Sequence, residues 1–61
     1  MKEKLYQYIN EKYEGATIWN YDASVHYVYI RFTHMDRTHV LCYYKGHGSV
    51  EIFELKAGEL L

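Results

Sequence analysis

Between residues 25 and 55 the chain runs in three stretches of alternating side chains, rich in β-branched and aromatic residues and free of proline. A period of two with that composition marks strands, and gaps of three or four residues join such strands only as antiparallel hairpins. We read strands over residues 25–33, 38–45 and Ser49–Leu55, connected by residues 34–37 and 46–48. An earlier stretch, residues 16–21, supplies a fourth strand, with Asp22 and Ala23 as its turn.

Parity fixes the register. Pairing Thr33 with Thr38 sets Ile30 opposite Leu41 and Val28 opposite Tyr43. Pairing Tyr44 with Ser49 sets Leu41 opposite Ile52 and Tyr43 opposite Val50. One face then collects Val28, Ile30, Phe32, Leu41, Tyr43, Val50 and Ile52, because a one-residue slip would turn every side chain over.

That face needs a cover, and the N-terminus provides one. Leu5, Ile9 and Tyr13 recur at helical spacing over residues 2–14, with Tyr6 and Tyr8 beside them, and Gly15 offers a left-handed stop. The expected fold is α+β, an N-terminal helix on a four-stranded antiparallel meander. Residues 56–61 are expected to add a short helical turn, weakened by Gly58. At 61 residues the chain has room for one domain.

Size limits stability. A domain this short buries only about 60 % of its unfolded surface and usually needs disulfides, a metal or association. Cys42 is the only cysteine, so no internal disulfide is available. Association is the expected remedy.

The second sheet face supports that expectation. It collects Tyr27, Tyr29 and Arg31 from one strand, Val40, Cys42 and Tyr44 from the next, and Glu51, Phe53 and Leu55 from the last. A face left in water would alternate to polar residues. One helix cannot cover two faces, so either a C-terminal segment with Leu60 and Leu61 or another chain is expected there. Tyrosine gives contact area at low entropic cost while keeping a polar tip, which is why it is enriched in binding surfaces. We take Tyr27, Tyr29, Arg31, Val40, Tyr44 and Phe53 as the candidate interface, and assign Tyr13 and Tyr43 to the core.

Catalytic chemistry finds no foothold. Ser24-x-His26 and Ser49 lack the third group and oxyanion site that a triad requires. Cys42 has apolar neighbours and no activating base at nucleophile spacing, so it reads as a small buried hydrophobe. His34, His39 and Asp36 meet near one hairpin tip, but no paired-Cys or helical His motif accompanies them. Polar and turn roles are expected for the histidines and no metal for the chain. The segment Lys45-Gly46-His47-Gly48-Ser49 matches no phosphate-binding motif, and a turn needing positive φ accounts for its glycines. No enzyme activity and no cofactor are expected.

Charge narrows the partners. Seven basic residues against eight acidic ones give a net charge of −1, too balanced to draw the chain onto nucleic acid or an acidic membrane. No apolar run approaches the roughly 18 residues of a membrane span and no signal-peptide core follows Met1, so the expected location is the cytoplasm. The expected function is a non-enzymatic protein–protein interaction module, working as a homodimer or small oligomer. Among motif-free proteins of this size, phage or mobile-element proteins that bind and inhibit a host protein are a common class. The alternatives are single-stranded nucleic-acid binding by base stacking on the aromatic face, and sequestration of a small nucleotide-like ligand. Arg31 stands nearly alone there as a cation, which disfavours phosphate-driven binding.

Overall fold

The computed structural model describes residues 2–56. Its elements are α1 (Lys2–Lys12), β1 (Thr17–Ala23), β2 (Tyr27–His34), β3 (Arg37–Tyr44) and β4 (Ser49–Leu55), and the strands form one antiparallel sheet in the order β1-β2-β3-β4. This is the α+β meander that the alternation implies. Among the described residues no helix is long and apolar enough to cross a membrane.

The pairing of β2, β3 and β4 follows the parity argument residue for residue: Thr33 lies opposite Thr38, Ile30 opposite Leu41, and Tyr44 opposite Ser49. Side chains from α1 and the sheet then build one core of Leu5, Ile9, Val28, Ile30, Phe32 and Leu41, with Tyr13, Tyr43, Val50 and Ile52 packed around it. Ile9, Val28, Ile30, Phe32 and Leu41 have no exposed surface. Burying an aliphatic or aromatic side chain of this kind contributes roughly 1.5–3 kcal/mol. The helix therefore covers the face that parity marks as the core.

Turn positions differ from the sequence reading at every connection, in the β3–β4 turn only by Lys45, which falls outside β3. Helix α1 ends at Lys12, two residues early, because Gly15 turns the chain at φ +84° and Ala16 N–H bonds back to the Tyr13 carbonyl at 3.0 Å. Strand β1 runs through Asp22 and Ala23, which pair with Tyr29 and Val28 instead of forming the turn. A bulge between Ile18 and Asn20 absorbs one residue, and Ser24 closes the connection further along. Its hydroxyl donates to the Tyr27 carbonyl at 3.1 Å and accepts from the Tyr27 N–H at 3.3 Å, leaving Val25 in the loop and 82 % exposed. The β2–β3 hairpin is tighter than four residues: His34 pairs with Arg37, and only Met35 (φ 52°) and Asp36 (φ 64°) span the tip. Gly48, at φ +69°, is the glycine of the β3–β4 turn that requires left-handed backbone.

The helical turn expected over residues 56–61, and the Leu60 and Leu61 cover, fall outside the described residues except for Lys56, which is exposed and in no regular element.

Candidate interaction face

With β2 and β3 inside the sheet, the side chains that point away from α1 are set by register alone. Tyr27 faces Tyr44 across the strands, Tyr29 faces Cys42, and Arg31 faces Val40. On the other side Val40 faces Phe53 and Cys42 faces Glu51. All six candidate residues, Tyr27, Tyr29, Arg31, Val40, Tyr44 and Phe53, lie on this one face. Leu55 joins them opposite Thr38.

The face has relief. Val40 and Cys42 form a low, fully buried floor on the central strand, at 0 % and 1 % exposure, between longer neighbours on β2 and β4. Tyr27, Tyr29 and Tyr44 stand half-buried at one end. The Tyr27 and Tyr29 rings sit 4.8 Å apart, and Tyr27 meets Tyr44 edge-on at 6.2 Å. Such ring pairs hold one another in place and add about 0.5–1.5 kcal/mol beyond burial. Phe53, on the outer strand, is 47 % exposed.

Two hydroxyls of this cluster, those of Tyr29 and Tyr44, hold their protons tightly. Burial, followed by the side-chain hydrogen bond with Tyr27, pushes the Tyr29 pKa up to about 12. The hydrogen bond with Cys42 raises that of Tyr44, with the Cys42 and Glu51 charges acting in the same direction. Tyr29 and Tyr44 therefore meet a partner as neutral phenols, which suits an apolar contact with polar tips.

Trp19 is the residue that sequence reasoning missed. As the bulged residue of β1 it projects onto the open face, 63 % exposed, and donates its indole N–H to the Thr33 hydroxyl at 2.8 Å. With Arg31, Thr33 and Thr38 it lines a shallow cleft of about 220 Å³. The signal was a break in alternation: Ile18 and Tyr21 both pack on the core although an odd number of residues apart, which a regular strand forbids.

Charge on the face is sparse. Arg31 on β2, Glu51 on β4 and Asp22 on β1 are its charged strand positions, all exposed. Among the described residues neither Arg31 nor Glu51 is in an ion pair, whereas Arg37 and Glu54, on the helix side, meet at 3.0 Å.

The histidines near the β2–β3 hairpin belong to the core side. His39 is only 8 % exposed and stacks on Phe32 at 5.2 Å, while the Tyr13 ring lies 5.0 Å from His39 and 5.4 Å from His34. His39 is thus a core residue rather than a surface polar one, and Glu54 opposite it is engaged by Arg37. Among the described residues no group of three His, Cys, Asp or Glu side chains is arranged to hold a metal ion. Cys42 is a free, buried thiol.

Comparison with protein-family models, with curated proteins and with solved structures gives no match. The functional reading therefore rests on the open face itself.

Proposed function

We propose that this chain is a non-enzymatic protein-interaction module that works as a homodimer, with the open sheet face as its interface. One observation carries the reading: a helix covers one side of the sheet, while the described residues of the other side present Trp19, Tyr27, Tyr29, Tyr44, Phe53 and Arg31 around a fully buried Val40 and Cys42. Trp, Tyr and Arg are the side chains that dominate binding energy at protein interfaces, where they cluster around a desolvated centre. Small domains gain from association the stability that their own core cannot supply.

Base stacking on the same face is the weaker reading. A platform for single strands needs a stripe of cations to follow the phosphates, and Arg31 is accompanied here by Glu51 and Asp22.

The test is the solution mass by light scattering, measured for the native chain and for Phe53→Glu. A native dimer that Phe53→Glu converts to a folded monomer supports the reading. A native chain that stays monomeric at every concentration, or a dimer indifferent to the substitution, removes it.

A further inference from the structure

Resting on that reading, we infer that the partner on the open face is a second copy of this chain, held about a two-fold axis along β3 by two reciprocal Arg31–Glu51 ion pairs. The topology gives the face a useful asymmetry. Strand β3 lies between β2 and β4, so its Val40–Cys42 floor is flanked by Arg31 on one side and Glu51 on the other. Both charged side chains are exposed, and among the described residues neither has an ion-pair partner within the chain.

Two sheets that pack face to face keep their strand directions within about 30°. An axis along β3 then carries β2 of one copy over β4 of the other. A two-fold keeps positions along its axis, so Arg31 lies over the partner's Phe53, level with Val40, and its long side chain reaches two residues along β4 to the partner's Glu51; by symmetry Glu51 meets the partner's Arg31. Each copy brings one cation and one anion, so the contact is neutral and self-complementary, as an interface between identical surfaces must be. Over the centre the two Val40–Cys42 floors face each other, flanked by Tyr29 and Phe53 of both copies. Of β1, Trp19 leans over β2 to Thr33 and stays within the overlap, whereas Asp22 lies beyond it.

The molecule measures 31 × 25 × 16 Å, so its broad face has the dimensions on which such contacts are built, standard ones burying ~800 Å² from each partner. Opposed charges across such a contact set its register, and like charges in the same place oppose it.

The pairing has a specific test, because identical subunits allow rescue by mixing. Arg31→Glu and Glu51→Arg are made separately, and the dissociation constant of each is read by sedimentation, with a thermal melt to confirm folding. Each variant alone places like charges together twice and is expected to weaken the dimer by about tenfold or more. An equal mixture of the two restores both pairs, since each copy supplies the charge that the other has lost. The mixture is expected to associate within about threefold of the native affinity, as heterodimers. A mixture no tighter than the separate variants overturns the pairing. If the native dimer is still dispersed by Phe53→Glu, the interface reading stands while the pairing falls. A native chain that is monomeric throughout removes both.

Discussion

Trp19 donates its indole N–H to the Thr33 hydroxyl across 2.8 Å while the residue remains 63 % exposed. An exposed ring fixed in one position loses little further freedom on binding, which is the arrangement an interface anchor needs. The bulge that creates it also shifts the register of β1, so Ile18 and Tyr21 can both reach the core. A single residue thus serves two ends: it places an aromatic on the open face and keeps the helix side apolar.

Trp19 is the only tryptophan, so its fluorescence reports on that face alone. Its emission is expected to move to the blue as concentration rises through the dimer midpoint. Thr33→Val removes the indole's acceptor at a cost of about 1 kcal/mol or less, and is expected to weaken association more than folding. Emission that is independent of concentration, in a sample that light scattering shows to dimerise, would place Trp19 outside the interface.

The β2–β3 hairpin offers a gain in stability. Met35 and Asp36 both take left-handed backbone, at φ 52° and 64°, as a two-residue turn of this twist requires. Aspartate tolerates that region, but methionine does so at a cost of about 1–2 kcal/mol. Met35 is 81 % exposed, so its side chain contributes little packing in return. Met35→Asn is expected to stabilise the chain by about 1 kcal/mol and raise Tm by about 5 °C. An unchanged or lower Tm in a thermal melt would show that the turn is not strained.

The attachment of α1 rests on few side chains. Leu5 and Ile9 are its buried residues, and Ile9 has no exposed surface. Ile9→Ala is expected to cost about 3 kcal/mol, close to all that a core of this size supplies. Exposed Gln7→Ala on the same helix should change stability by less than about 0.5 kcal/mol. Urea unfolding of both variants checks the contrast, and similar midpoints would mean that the helix does not carry the core.

What was legible in the sequence follows from which constraints are local and which are redundant. The registers of β2, β3 and β4 were readable because three strands had to agree on one apolar face, so Val28, Ile30, Leu41 and Ile52 checked one another. The positions of Tyr27, Tyr29, Arg31, Val40, Tyr44 and Phe53 came with that register. Strand β1 breaks the alternation at its bulge, where β4, also at an edge, does not, and that break hid Trp19. Ser24 closing the first hairpin, and methionine at a left-handed tip, were equally hard to foresee. In both cases tertiary pairing overrides the local preference of the turn residues. The burial of His39 required knowing that Tyr13 reaches over Phe32, a contact between residues far apart in the chain.

Tyr29 makes the folded chain sensitive to alkali. Burial and the hydrogen bond with Tyr27 hold the Tyr29 proton up to about pH 12, against 10.0 for a free phenol. A pKa raised on folding contributes stability that is fully present below the unfolded value and disappears as pH rises through the folded one. The folded state should therefore be unaffected by Tyr29 below pH 10 and lose stability progressively between pH 10 and pH 12. Ultraviolet titration of tyrosinate is expected to show a late phase that Tyr29→Phe removes, and Tyr29→Phe should melt with a flatter dependence on pH across that interval. Tyr44, raised in the same direction through Cys42 and Glu51, should ionise more easily in Glu51→Gln, which removes one of the charges acting on it. A titration of the folded chain with no late phase that Tyr29→Phe removes would show that the open face does not hold the Tyr29 hydroxyl as described.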